Sequence, residues 1–207
     1  MANIPRKAGI VISGGNPWEI LFSIFHLEKQ GFLRLAISVP IAISSNILHD
    51  LDTEIARSNL IDLNDVRATG LDVIIIPGGK RLFAGLGNID ESGGAFKVND
   101  GLKNLLKGIY RLGKPIGAFG PGAAVVAKSL QGITRAGAVV TVGSDPKLQA
   151  VVSASGAQAV VTRPGEVVID QTNKLATSGG ELGSKRPSEV FESCGNLVSA
   201  LLELIKE

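Results

Sequence analysis

The sequence predicts an α/β protein, a three-layer α-β-α sandwich on a mostly parallel sheet with a late antiparallel hairpin. Three observations carry that prediction. Short β-branched runs alternate with longer segments of helical period, the pattern of βα units. Runs such as Val73-Ile74-Ile75-Ile76 are apolar throughout, as expected of strands covered on both faces. Near the end of the chain, two strand-like runs flank the turn-like Gln171-Thr172-Asn173-Lys174 and read as a hairpin.

In chain order, the strand signals fall at Ala8–Ile12, Leu33–Val39, Val73–Ile76, Ile116–Phe119, Ala138–Val142, Ala159–Val161, Val167–Asp170 and Leu175–Thr177. Helical signals lie between them, at Pro17–Gln30, Leu51–Ser58, Gly101–Leu112, Gly122–Leu130, Lys147–Ser155 and Pro187–Lys206. In the first helix Ile20, Ile24 and Leu27 share a face, and Gly31 ends it. The stretch Lys80–Asp100 is Gly-rich and without clear period. It is longer than an ordinary βα connection, which marks it as a candidate functional or capping loop. No repeat, low-complexity tract or linker interrupts the chain, so residues 1–207 are read as a single domain.

Composition removes several function classes. With 44% hydrophobic and 19% charged residues and a net charge of +2, the chain is neither disordered nor a coiled coil. Its densest basic group, Lys185-Arg186, is too short to track phosphates, so no nucleic-acid partner is expected. No apolar run is long enough to span a membrane, and no signal peptide is read at the N-terminus. One cysteine cannot form an intrachain disulfide, and a reducing, cytoplasmic compartment is expected. With two histidines and one cysteine, none at ligand spacing, no metal site and no cofactor are expected.

Ligands of such a sheet collect beyond the C-terminal strand ends. Three strand-to-helix turns stand out there: Ser13-Gly14-Gly15-Asn16-Pro17-Trp18-Glu19, Pro77-Gly78-Gly79, and Gly117-Ala118-Phe119-Gly120-Pro121-Gly122. None matches a dinucleotide or phosphate-loop pattern. The third has the layout of a nucleophile elbow with Gly120 at the bend, where glycine accepts φ > 0 freely. The plainer alternative makes Gly120 an N-cap and Pro121 the first helical residue.

Ile74-Ile75-Ile76-Pro77-Gly78-Gly79, followed by Gly113-Lys114-Pro115-Ile116-Gly117-Ala118-Phe119-Gly120, resembles the PfpI-type branch of the class I glutamine-amidotransferase-like superfamily. Within it the likeness is to the ElbB-like proteins, described as glyoxalases. It extends to Phe96-Lys97-Val98-Asn99-Asp100, Thr141-Val142-Gly143-Ser144-Asp145 and Val167-Val168-Ile169-Asp170. The resemblance implies a flavodoxin-like fold, a homodimer, an elbow cysteine six residues after the lysine of Gly-Lys-Pro, and a glutamate early in the first helix. The glutamate carries over to Glu19; the cysteine position falls on Gly120, and no neighbouring residue restores a thiol. The residue after the elbow, which should supply an oxyanion-hole N–H, is Pro121, which has none. Cysteine-dependent glyoxalase, protease or amidotransferase activity is therefore expected to be absent. The sole cysteine, Cys194, matches no family nucleophile and reads as a buried filler.

Glu19 has two readings. Asn16-Pro17-Trp18-Glu19 is close to a capping box, in which the Glu19 carboxylate reaches back to a backbone N–H. The resemblance instead turns Glu19 toward a pocket, with a raised pKa beside Trp18. His26, seven residues on, reads as a packing histidine, His49 and Asp90-Glu91 as solvated, and Ser178-Gly179-Gly180-Glu181 as a candidate pocket rim. Two functions follow. The first is a degenerate ElbB-like binding, regulatory or accessory protein without thiol catalysis, which takes a small carbonyl or metabolite ligand against Gly15, Asn16, Trp18, Gly78, Gly79, Phe119 and Pro121. The second is a cysteine-independent lyase, isomerase or hydratase on a small carbonyl compound, with Glu19 as general acid/base.

Overall fold

Alternating apolar residues along the central strands feed two cores, one on each face of a seven-stranded sheet. The computed structural model describes residues 5–12, 14–39, 60–79, 87–88, 96–184 and 186–206. Its strands are β1 (Lys7–Val11), β2 (Leu33–Ser38), β3 (Leu60–Asp62), β4 (Val73–Ile76), β5 (Gly87–Asn88), β6 (Lys97–Val98), β7 (Ile116–Phe119), β8 (Val139–Val140), β9 (Gln158–Ala159), β10 (Val167–Asp170) and β11 (Leu175–Ser178). Its α-helices are α1 (Pro17–Lys29), α2 (Asp100–Arg111), α3 (Pro121–Ser129), α4 (Pro146–Ala154) and α5 (Pro187–Lys206). The sheet runs β10-β11-β7-β4-β1-β2-β3, parallel throughout except for the hairpin pair β10/β11.

Strand alternation sorts the side chains. Ile10, Val73, Ile75 and Phe119 face α1 and α5, which press Ile20, Ile24, Leu27, Leu197 and Leu201 onto them. Val11, Ile74, Ile76, Ile116 and Ala118 face the other way, onto α2, α3 and α4. All four β4 residues are buried, as a central parallel strand requires. Gly117 lets α5 approach: a Cβ there would lie 2.8 Å from Leu201 Cδ1. Three of the helices also start where a side-chain cap is available. Asn16, Asn99 and Asp145 accept first-turn N–H groups of α1, α2 and α4 through their side chains.

Three expectations change. The strands near 138–142 and 159–161 are shorter than their apolar runs and do not join the main sheet. β8 pairs only with β9, in a parallel two-stranded sheet of its own. The reason lies in its partners: Val139 N–H donates to Asp170 Oδ2 at 2.9 Å and Thr141 N–H to Thr177 Oγ1 at 2.8 Å, so side chains take the place of a ladder. Second, the Gly-rich stretch carries a short antiparallel ribbon, β5 with β6. Third, β3 supplies an edge strand that its mixed sequence did not announce. The helix expected at Leu51–Ser58, together with Ser13, His49 and Asp90-Glu91, lies outside the described residues.

Candidate functional site

The sheet order places the chain's crossover reversal between β1 and β4: β1 leads through α1 to β2 on one side, while β4 leads on to β7 on the other. The carboxyl ends of β1, β4 and β7 therefore border one crevice, the usual ligand site of such sheets.

At the end of β7, Gly120 has φ +41° and ψ −115°, a bend that L side chains rarely adopt, and α3 begins directly with Pro121. A Cβ at Gly120 would lie 3.1 Å from the Gly179 carbonyl oxygen and 3.2 Å from Leu182 Cδ1. Helix α3 thus starts with neither a side-chain cap at Gly120 nor an N–H at Pro121.

Glu19 enters the crevice from the first turn of α1 and is 1% exposed. Its Oε2 accepts the Gly78 N–H at 2.5 Å and its Oε1 the Glu181 N–H at 2.8 Å. Burial pushes the carboxyl from an ordinary 4.5 up to about 7; the two backbone N–H groups oppose the rise and the nearby Glu181 carboxylate adds to it. The capping-box reading is half right. Asn16 Oδ1 caps the helix by accepting from Trp18 and Glu19 N–H at 2.9 and 3.1 Å. The reciprocal bond is absent, because Asn16 N–H donates to the Gly78 carbonyl at 2.6 Å. Asn16 Nδ2 also donates to Glu181 Oε2, so one residue caps α1 and ties the 180–182 turn to it.

A cavity of about 380 Å³ opens beside these groups. Glu19, Glu181 and Ser184 form its polar side, Pro121, Leu182, Pro187 and Val190 its apolar side, with Gly79 at one edge. The turn Gly180–Leu182 packs close: Gly180 has φ +55°, and a Cβ there would fall well inside contact distance of Glu19 Oε1. Ser184, 5% exposed, donates its hydroxyl proton to Glu189 in the first turn of α5.

Of the residues expected at the ligand, Glu19, Gly79 and Pro121 line the cavity, and Gly78 touches it through its bond to Glu19. Gly15 and Asn16 stand behind it in the first turn. Phe119 is a correction: strand alternation sends its fully buried ring into the core under α1 and α5, and only its backbone borders the site. Trp18 is another. It is 48% exposed and its ring leans on Phe22, 5.4 Å between centroids, outside the cavity lining.

Cys194 is fully buried in α5 with Sγ 3.8 Å from the Glu19 carbonyl oxygen; burial, then the nearby Glu19 charge, push its thiol far up. His26 packs on the same helix, Nε2 3.1 Å from the Phe191 carbonyl, and burial lowers its pKa. Sequence reasoning flagged Glu181 only as a rim candidate and missed Leu182, Ser184, Pro187 and Val190. The one available signal was the polar run that follows the hairpin. Among the described residues no group of three or more acidic, His or Cys side chains is arranged to hold a metal.

Comparison with known proteins bears on this geometry. No family model matches the chain. It is 29% identical over 170 residues to human glutamine amidotransferase-like class 1 domain-containing protein 3, mitochondrial, covering 78% of this chain and 61% of that protein. The rat ES1 protein homolog, mitochondrial, is 28% identical over the same length, with 78% and 62% covered. Among solved structures, an isoprenoid biosynthesis protein with an amidotransferase-like domain from Ehrlichia chaffeensis superposes with a TM-score of 0.81 at 19% identity, covering 95% of this chain and 99% of that one. The relatives and structural neighbours of the chain are thus class I glutamine-amidotransferase-like and DJ-1 superfamily proteins. Drosophila melanogaster DJ-1beta shares the superfamily fold at a TM-score of 0.63 and 19% identity, covering 98% and 97%. The flavodoxin-like architecture expected from the sequence is thus that of the superfamily. The chain spans about three-fifths of the length of the human and rat relatives. Both of those proteins carry a mitochondrial designation, which lends no support to the cytoplasmic expectation. No described helix is long and apolar enough to cross a membrane.

Proposed function

We propose that this chain is a degenerate ElbB-like protein that binds a small metabolite and has no covalent thiol chemistry, acting as a binding, regulatory or accessory protein. The observation that carries the reading is the bend at Gly120, which has elbow dihedrals and no side chain. Two further facts support it. Pro121 has no N–H to offer an oxyanion, and the Gly78 N–H is already held by Glu19. Losing one such donor typically costs about 3–4 kcal/mol in barrier height, and here the donor after the elbow is lost together with the nucleophile.

The test is turnover of glyoxal and methylglyoxal by the purified chain beside Gly120→Cys and Glu19→Gln. The unmodified chain is expected to stay at background. Gly120→Cys should gain at most a small activity, because Pro121 remains and the new side chain meets Leu182. Activity of the unmodified chain that vanishes in Glu19→Gln would overturn the reading.

A single observation favours the second reading, cysteine-independent lyase, isomerase or hydratase chemistry on a small carbonyl compound. Glu19, at about 7, has the pKa of a general acid/base working near neutrality and it lines a cavity. Exchange of a carbonyl substrate's α-hydrogen in heavy water, lost in Glu19→Gln, is its signature.

The homodimer is part of the proposal. It is supported by an aromatic patch on α1, where Trp18 and Phe25 are about half exposed beside Phe22 and Phe191. A reducing compartment is retained on the strength of the lone, buried cysteine; the mitochondrial designations of the relatives suggest one other than the cytoplasm.

A further inference from the structure

The cavity's hydrogen-bonding inventory is one-sided. Two of its lining residues are prolines without an N–H. The amides of Glu19, Glu181, Ser184 and Val190 are all engaged, by Asn16 Oδ1, Glu19 Oε1, the Glu181 carbonyl and the Arg186 carbonyl in turn. The Ser184 proton is taken by Glu189, so toward the cavity that hydroxyl only accepts. Glu181 has one carboxylate oxygen met by Asn16 and the other without a partner among the described residues. Against these acceptors stand only the amides of Gly79 and Leu182, and no described lining residue is cationic.

A carboxylate or aldehyde ligand would bring more acceptor oxygens to a wall that offers almost no donors. A protonated amine would bring donors and the missing positive charge, and its short carbon chain would lie along Pro121, Leu182 and Val190. The volume, about 380 Å³, is at the small end of ligand pockets. We propose that this cavity is a binding site for a small aliphatic ammonium compound, held between Glu19 and Glu181 with its carbon chain on the proline-leucine wall. The assignment rests on the reading of the chain as a small-molecule binder and gives that ligand a chemical class.

Three groups decide how the site responds to pH. Glu19 faces the Glu181 carboxylate from the 180–182 turn and Cys194 from α5, and from the Gly78 turn it meets only a backbone amide. Burial holds the proton on Cys194, so the change across neutrality is in Glu19. An ammonium ligand should bind more tightly above pH 7 than below it.

The experiment is a titration of the full chain followed by amide signals of Gly78, Glu181 and Leu182 in nitrogen-15 NMR spectra. The probes are n-butylammonium, butyrate, 1-butanol and methylglyoxal. n-Butylammonium is expected to shift these signals saturably at pH 7.5 and at least tenfold more weakly at pH 5.5. Glu181→Ala, a change at an exposed side chain that leaves its backbone N–H in place, should weaken binding at least tenfold, as should Glu19→Gln. Butanol acting as strongly as butylammonium would remove charge as the recognition principle and overturn the assignment. If butyrate or methylglyoxal shifts the signals and butylammonium does not, the ligand class falls while the small-molecule reading survives. If no probe shifts them, both fall. Lys80 and Lys185 adjoin lining residues in the sequence. Butylammonium binding that appears only in a Lys80→Ala, Lys185→Ala double variant would assign the position to the chain's own lysine and overturn the proposal.

Discussion

Glu19 is where the residue scale is most demanding, because its two hydrogen bonds do not offset its burial. Its pKa moves from 4.5 to about 7. Between those values the folded chain holds a proton that the unfolded chain has released, so stability falls as pH rises through the window and levels off above it. The whole span corresponds to about 3 kcal/mol. Urea unfolding of the wild-type chain relative to Glu19→Gln should show that decline from pH 4.5 to 7, and a flat difference would count against a buried, titrating Glu19. Gly180 is the residue that allows the arrangement. Gly180→Ala combines an unfavourable φ with a clash on Glu19 Oε1 and should cost at least about 2 kcal/mol. Glu19→Ala in the same chain should recover part of that loss, a coupling that a double-mutant cycle measures. Little of this pairing was legible. Asn16 and Pro17 announced the start of the helix, but nothing in Glu19 names a partner 162 residues away. The inward turn of Phe119, by contrast, follows from the alternation of Ile116 and Ala118 and was there to be read.

At the scale of elements, the legible ones were those whose side chains meet another layer. Helices α1, α2 and α5 and strands β4, β7 and β10 appear within a residue of their sequence signals, because burial on one face or both imposes a period on them. β8 and β9 were misjudged for a physical reason: an apolar run reports burial, and Val140 is buried without belonging to the large sheet. Its neighbours Asp170 and Thr177 satisfy the backbone from their side chains, a device invisible in periodicity. The packing of α5 on α1 gives a separate prediction. Cys194 lies sealed between the two helices, so iodoacetamide should modify the chain only after denaturation, as mass spectrometry of native and unfolded samples would show. Modification in the native state would mean that the two helices part readily.

For the molecule as a whole, sheet order matters more than any one strand, since it sets the ends of β1, β4 and β7 side by side. Alternation of strands and helices foretold a parallel sheet, and the motif pattern foretold the superfamily; the strand order itself became visible only in three dimensions. The outer surface carries the other prediction at this scale. Sedimentation should give about twice the 21.5 kDa chain mass, and Trp18→Ser with Phe25→Ser should return it to a monomer. A wild-type monomer at high concentration would remove the dimer from the proposal.

The clasp between Glu19 and Glu181 also bears on how the chain folds. Two bonds of the site join residues 59 and 162 positions apart. The first can form once β4 is in place, but the second must wait for the hairpin and the turn beyond it. During synthesis the site is therefore among the last things made, and a chain released before residue 181 would hold a sheet and a buried carboxyl with nothing closed over it. Substitutions at Glu19 should then speed unfolding while leaving the rate of refolding nearly untouched.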